Sequence, residues 1–317
     1  MGRTPEREGE PAVGCECALI VGWPSFRDGE ATAGDVLSMR VVESALRAAG
    51  VATESAWSPV FRPGALALED ADPARYSHLV FVCGPAHGRQ VRALHERFAR
   101  CRRIAVGVSV IDTQDAAFTG FHRVIPRDDP HGSRARDLSA AADTAEVPVV
   151  GVILAPGQRE YGARRRHDAV HDRVLRWLGV QDCARVPLDT RLDSRDWRSC
   201  ATADQFSSLL RRLDVVVTSR LHGLVLALRQ GVPALALDPV AGGGKVHAQA
   251  AAWDWPAVLT AEAVLTPGSA LDDAWHWCRS AEAHDRARHI ADATQLEQPL
   301  LTELMRVLRP AATTAAP

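Results

Sequence analysis

Val215-Val-Val-Thr-Ser-Arg-Leu-His-Gly-Leu-Val-Leu-Ala-Leu-Arg-Gln-Gly-Val-Pro-Ala-Leu-Ala-Leu-Asp238 reads as strand, helix, strand. The opening run up to Ser219 is apolar without alternation, as a strand covered on both faces is. Leu221 to Gln230 has the length and apolar content of a helix, and Gly231 follows it in the usual C-terminal role. Val232 to Asp238 is a second buried run. A buried strand that passes at once into a helix and then into another buried strand is a repeating unit of a parallel sheet. The turn places Ser219, Arg220 and His222 at a strand's carboxyl end and a helix N-terminus, where free N–H groups and the helix dipole favour an anion. Arg220 can grip phosphate or carboxylate through two hydrogen bonds, and His222 can move a proton near neutral pH. The combination suits a small dianionic or trianionic substrate. Taken singly, each residue also has a plain reading as a cap, a solvated guanidinium or a structural histidine; the specific feature is the whole string.

The next stretch, Ala241-Gly-Gly-Gly-Lys245, lacks the spacing of a nucleotide-triphosphate loop. It reads either as a flexible loop or as a mobile one whose backbone at Gly243 and Gly244, with Lys245, closes over an anion. Lys and Arg total 37, and Lys245 is the single lysine. An arginine- and alanine-rich chain of this kind reflects GC-rich codon usage. An individual arginine therefore says little, whereas an ammonium kept at one position says more, because it is chemically distinct from a guanidinium.

Upstream, Pro148 to Ala155 is a buried strand, and Gly157-Gln-Arg-Glu-Tyr-Gly162 follows it. Arg159 in that loop is either a second anion ligand or a surface side chain. A helix is predicted over Arg164–Leu178, a strand over Arg185–Leu188, and a helix over Thr202–Leu213; about 248–309 reads as mostly helical. Trp253, Trp255, Trp275 and Trp277 there can stack on a sugar or pack between helices. The first half repeats the alternation: strand Cys17–Gly22, helix Asp35–Ala49 with Asp35 as N-cap, strand Val51–Trp57, strand His78–Gly84, helix Arg89–Arg100, strand Arg103–Val110. The pattern weakens between Asp112 and Glu146, where Arg127 to Gly132 is turn chemistry and a short helix is expected near Ser133–Ala142. His87, after the strand ending near Cys83, reads as a polar loop residue.

At 317 residues, two domains are expected. We place them at 15–146 and 147–309, with a disordered start at 1–14 and a disordered tail at 310–317. The fold class is α/β: two Rossmann-like domains facing a central cleft, GT-B-like, with ligands expected at the carboxyl ends of the strands. A formal net charge of -2 argues against a nucleic-acid partner. The seven cysteines are scattered, with no metal-ligand spacing, and read as reduced thiols in a cytoplasmic protein. No apolar stretch approaches the roughly 20 residues of a membrane span, and the start lacks the apolar core of a signal peptide.

The string Ser219-Arg-Leu-His-Gly223, a short apolar helix, then Gly231-Val-Pro233 and a strand resembles the signature of the polysaccharide pyruvyl transferase family. Weaker echoes lie in the first half: Gly34-Asp35 resembles the family's Asn-x-Gly-Asp with Thr32 in place of the asparagine, Arg127-Asp128 resembles an Arg-Asp pair, and Cys83-Gly84-Pro85 stands where a glycine run is usual. The resemblance implies transfer of pyruvate from phosphoenolpyruvate onto two hydroxyls of a sugar as a cyclic ketal, with release of phosphate. It implies phosphoenolpyruvate as co-substrate rather than a bound cofactor, no metal, and a sugar, polysaccharide unit or lipid-linked glycan as acceptor. A homo-oligomer is left open. The resemblance carries over Arg220 and His222 for the donor and catalysis, and a lysine where Lys245 stands. On the residues themselves we assign His222 as general acid, Arg220 and Ser219 to the donor, Lys245 with Gly243 and Gly244 to closing on the departing phosphate, Arg159 as a further donor ligand, and Asp35 as a base toward the acceptor second to its role as helix cap. Two other readings stand beside it: a GT-B-type glycosyltransferase using a nucleotide sugar, for which Asp238 is the available acidic ribose contact, and a non-catalytic sugar-binding relative.

Overall fold

A computed structural model of the chain describes residues 17–132, 134–293 and 299–308. The stretches expected to be disordered, together with Cys15 and Ser133, lie outside the described residues. The chain divides into two compact units, with the division between Thr144 and Ala145. Each is built on a five-stranded sheet whose strands all run parallel.

In the first unit the strands are β1 (Cys17–Val21), β2 (Ala52–Ser55), β3 (His78–Val82), β4 (Arg102–Ser109) and β5 (Arg123–Asp128), in the order β2-β1-β3-β4-β5. Helices α1 (Ala33–Ala48), α2 (Arg89–Arg97) and α3 (Ala116–Thr119) lie between them in the chain. Central strands β1 and β3 are buried almost throughout. Edge strand β5 shows little burial, and its arginines, Pro126 and Asp128 hide it among turn-forming residues in the sequence. The short helix expected near Ser133–Ala142 is a 3-10 turn, Leu138–Ala141, capped by Asp137. His87 pairs with Asp115 through Nδ1, at 2.8 Å.

The Arg127-Asp128 pair is an internal tie. Arg127 donates from Nε to Asp128 at 2.8 Å, from Nη1 to Asp137 at 2.6 Å, and from Nη2 to Ser109 Oγ at 2.7 Å. Hydrogen bonds from the Ser139 hydroxyl and backbone N–H, with Arg127, hold the Asp137 carboxyl down at about 2.

In the second unit the strands are β6 (Val149–Ile153), β7 (Ala184–Pro187), β8 (Val215–Thr218), β9 (Ala234–Asp238) and β10 (Val258–Thr260), in the order β7-β6-β8-β9-β10. Numbered within the unit this is 2-1-3-4-5, the order of the first unit again and one of the common doubly wound, Rossmann-like arrangements. Helices α4 (His167–Leu178), α5 (Ala203–Leu210), α6 (Leu221–Arg229), α7 (Lys245–Ala252), α8 (Ala261–Leu265), α9 (Ala270–Cys278), α10 (Ala281–Ala293) and α11 (Pro299–Leu308) complete it. Strand β10 lies in the stretch read as helical; three residues at a sheet edge leave no periodic signal. The tryptophans are mainly packing elements. Trp275 is buried edge-on to Trp177, and Trp255 is buried against Trp277 and donates from Nε1 to the Ala234 carbonyl at 2.6 Å. Among the described residues no helix is long and apolar enough to cross a membrane.

The depressed Asp137 carboxyl makes a pH prediction. An aspartate whose pKa falls on folding stabilises the folded state above its unfolded value near 4, and that stabilisation is lost as pH falls toward about 2. Acid unfolding of the first unit followed by circular dichroism should therefore show a loss of stability between about pH 4 and 2, and Asp137→Asn should flatten that dependence.

Candidate active site

In a 2-1-3-4-5 sheet the connections leaving the first and third strands diverge to opposite faces, and the crevice between them is the usual ligand site. In the second unit this is the gap between the carboxyl ends of β6 and β8. A cavity of about 260 Å³ lies there, lined by Ala155, Gln158, Ser219, Arg220, Leu221, His222 and Lys245. The strand-to-helix turn singled out in the sequence supplies four of these residues.

Ser219 is buried and ties the two strands together. Its N–H donates to the Ile153 carbonyl at 3.1 Å, and its Oγ accepts from the Ala155 N–H at 3.0 Å. A second contact had no signal in the sequence: Ser219 Oγ lies 2.8 Å from Nε2 of His171 on α4. Burial, then neighbouring His167, holds the His171 pKa below the ordinary histidine value.

Arg220 is the N-cap residue of α6. Its Nη1 donates to Asp189 Oδ1 at 3.0 Å and to Thr190 Oγ1 at 2.8 Å, both in the loop after β7. The two contacts use one nitrogen and leave the Nε–Nη2 edge of the guanidinium, the edge that takes a carboxylate or phosphate through two bonds, without a partner among the described residues. His222 is an exposed residue in the first turn of α6. In that turn the Gly223 N–H donates to the Arg220 carbonyl at 2.9 Å, and the Leu221 and His222 N–H groups precede the first intrahelical bond. Gly223 explains the end of the motif: a Cβ at this position would sit 2.2 Å from Thr218 Oγ1, so only glycine lets α6 start this close to β8.

Lys245 is the first residue of α7, is exposed, and lines the same cavity. It reaches this place because Asp238 organises the glycine loop. The buried Asp238 carboxylate accepts from Val240 N–H through Oδ1 at 3.1 Å, and from Gly244 and His247 N–H through Oδ2 at 2.7 and 2.8 Å. It thereby caps α7 from outside the helix. Gly242 and Gly243 take positive φ values of 75° and 83°, which glycine adopts without strain.

The loop's amides, expected to close over an anion, have partners within the chain. The Gly244 N–H goes to Asp238, the Gly243 N–H to the Val240 carbonyl, and the Gly242 N–H to Glu262. Gly243 and Gly244 position Lys245 and have no amide to spare for a ligand. Asp238 is likewise committed to three backbone donors and is not poised for a ribose hydroxyl. Arg159 is exposed and does not line the cavity; its neighbour Gln158 does. Asp35 lies in the first unit, and its expected role as N-cap of α1 belongs to Thr32. The Thr32 Oγ1 accepts from the Asp35 N–H at 3.2 Å and donates to the Asp35 carboxylate at 2.7 Å, an arrangement that uses Asp35 to close the helix start.

The larger hollow in this unit, about 860 Å³, is lined by Trp253, Asp254, Glu282, Asp285, Arg286, His289 and Ile290. Its three carboxylates disfavour an anion, whereas the smaller cavity brings together a guanidinium edge, an ammonium and an imidazole. Among the described residues no group of three or more His, Cys, Asp or Glu side chains is placed to hold a metal ion.

Residues 162–239 match the model of the polysaccharide pyruvyl transferase family. The match covers less than half of the chain, includes His171, Asp189, Ser219, Arg220 and His222, and ends before Lys245. No curated protein matches the chain significantly. Among solved structures, a spinosyn rhamnosyltransferase is similar at 10% identity over 92% of this chain and 100% of that one, with a TM-score of 0.37. The calicheamicin glycosyltransferase is similar at 14% identity over 94% and 99%, TM-score 0.33. A glycosyltransferase of Streptomyces sp. SF2575, complexed with thymidine diphosphate, is similar at 13% identity over 92% and 99%, TM-score 0.32. Likeness at this level carries no functional inference.

The Asp238 cap is testable. Asp238→Ala leaves three N–H groups without their acceptor and should lower the stability of the second unit by roughly 3 kcal/mol in denaturant unfolding. It should also make the Gly242–Lys245 loop more susceptible to limited proteolysis than in the native chain.

Proposed function

We propose that the chain is a pyruvyl transferase, moving the pyruvyl group of phosphoenolpyruvate onto two hydroxyls of a sugar as a ketal in the building of a polysaccharide or glycoconjugate. The observation that carries this reading is the small cationic cavity at the β6–β8 crevice, lined by Arg220, His222 and Lys245. Its turn-forming residues fall within the segment that matches the pyruvyl transferase family. A cavity of about 260 Å³ is below the ~300–1,000 Å³ of pockets that enclose drug-sized ligands, and suits a donor of few atoms and high charge.

The chemistry divides among these residues. The free Nε–Nη2 edge of Arg220 holds the carboxylate or the phosphate, and the first-turn N–H groups of α6 add fixed positive potential. Lys245 is the compact charge that balances the phosphate as it leaves. His222, protonated, gives a proton to the enol methylene carbon while an acceptor hydroxyl adds to the carbon that bears the phosphate. Asp189 and Thr190 hold one end of Arg220 so that the other faces the donor. The acceptor is a sugar presenting two hydroxyls close enough to be bridged by one carbon. The commitment of Asp238 to backbone amides weakens the nucleotide-sugar alternative, because it removes the acidic ribose contact that reading relied on.

Thermal stabilisation tests the donor. Phosphoenolpyruvate at about 100 times its Kd adds roughly 2.7 kcal/mol and should raise Tm by several degrees, while UDP-, CMP- and GDP-sugars leave it unchanged. Arg220→Ala should lose the shift. His222→Ala should keep it and lose turnover. Stabilisation by a nucleotide sugar in place of phosphoenolpyruvate would overturn the reading. Asp189→Ala, which frees the Arg220 side chain to wander, should raise the phosphoenolpyruvate concentration needed for half-stabilisation about tenfold.

A further inference from the structure

Ketal formation removes two protons from the acceptor, so the site needs a base as well as an acid. The base expected in the sequence, Asp35, lies in the first unit and accepts from Thr32 Oγ1 at 2.7 Å. The cavity wall itself contains a proton acceptor that the sequence did not reveal.

The Ser219 hydroxyl has one hydrogen to donate and two lone pairs to offer. One lone pair takes the Ala155 N–H. The hydroxyl hydrogen has a single acceptor within reach among the described residues, Nε2 of His171 at 2.8 Å. That leaves one lone pair, on the hydroxyl of a residue that lines the cavity. Behind it, His171 is half-buried, edge-on to His167 with ring centroids 6.0 Å apart. His167 is itself buried, and its Nδ1 has no hydrogen-bond partner among the described residues. The charged groups that act on His171 are Asp168 and Asp172 on its own helix, with His167 beside it. Burial favours the neutral imidazole, the form able to accept a proton.

We propose that Ser219 and His171 form the proton relay that deprotonates the attacking hydroxyl of the acceptor. The proposal rests on the pyruvyl transferase reading. The acceptor O–H donates to the free lone pair of Ser219 Oγ. As the acceptor oxygen bonds to C2 of the enol, its proton passes to Ser219 Oγ and the Ser219 proton passes to His171 Nε2. The electrons of the C2–C3 double bond take the proton of His222 onto C3. Phosphate then leaves C2 with its C–O bonding pair, the second hydroxyl bonds to C2, and the proton of that hydroxyl goes to the phosphate. The proton on His171 returns through Ser219 to solvent, and solvent reprotonates His222. Of the two acceptor protons, one thus replaces that placed on C3 and the other leaves on phosphate. Ser219 touches the substrate; His171 acts through it as the proton-holding residue.

Heteronuclear NMR of the histidine side chains in the full chain reads the relay directly, with His171 assigned from the signals lost in His171→Gln. The free wild-type chain should show His171 neutral with a bare Nε2, and Ser219→Ala should move the proton onto Nε2. A protonated Nε2 in the wild-type chain overturns the relay. The kinetic arm uses phosphoenolpyruvate alone, with water as the nucleophile. His171→Gln keeps a hydrogen bond to Ser219 but has no basic nitrogen. It should be stabilised by phosphoenolpyruvate as the wild type is, yet release phosphate about 100-fold more slowly. The wild-type rate should rise with pH through the titration of His171, and that limb should vanish in His171→Gln. Equal phosphate release by wild type and His171→Gln overturns the relay while the donor reading stands. Absence of phosphoenolpyruvate stabilisation in the wild type overturns the donor reading, and the tautomer of His171 is read independently of it.

Discussion

Strands β6 and β8 run side by side, and their onward connections separate at the carboxyl ends. The Ser219 residue bridges the point of separation: its N–H reaches the Ile153 carbonyl, and its hydroxyl accepts from the Ala155 N–H. Without those two bonds the backbone of Ala155 and Ser219 would have polar groups facing a crevice with nothing to satisfy them. With them, the crevice has a fixed floor, and the residues that follow project from a defined place. Arg220 caps α6, Gly223 lets the helix lie against Thr218, and His222 stands at the mouth. The polar character of the site is a consequence of how a parallel sheet ends.

The positive charge of the site is arranged by two carboxylates that do not face the ligand. Asp189 takes one nitrogen of Arg220 and leaves the other edge free. Asp238, buried, gathers the amides of Val240, Gly244 and His247 around the glycine loop and sets Lys245 at the start of α7. Buried or half-buried charges of this kind are costly unless each finds donors, and both do. The loop is therefore a built support for a lysine, and its glycines serve backbone geometry. This gives physical content to the presence of a single lysine in a chain that otherwise uses arginine.

The strands most legible in the sequence were those buried almost throughout. β1, β3, β6, β8 and β9 are apolar runs covered on both faces, and each was evident from composition alone. The strand-to-helix turn was legible for the same reason: the buried run stops at Thr218 and the helix starts at Leu221. Of the edge strands, β2 and β7 were read despite their exposure, as Val51–Trp57 and Arg185–Leu188, and β5 and β10 were not. β5 carries Arg123, Pro126 and Arg127, and β10 spans three half-buried residues, so neither has the pattern of a covered strand. The site divides in the same way. Ser219, Arg220 and His222 are neighbours in the chain, and their shared chemistry was visible. His171 and Asp189 reach the site across the fold from α4 and the loop after β7, and nothing in their local sequence marks them. The glycine pattern likewise cannot show that the Gly244 amide goes to Asp238 and the Gly243 amide to the Val240 carbonyl.

The measurement that bears most directly on this account is the crystal structure of the chain with phosphoenolpyruvate bound. The account places the anion in the β6–β8 crevice, with one acidic group on the Nε–Nη2 edge of Arg220, Lys245 turned toward the phosphate, and Ser219 Oγ facing the enol carbon. Asp189 remains on Nη1. Phosphoenolpyruvate bound elsewhere, or a crevice occupied while Arg220 contacts only Asp189 and Thr190, would contradict it.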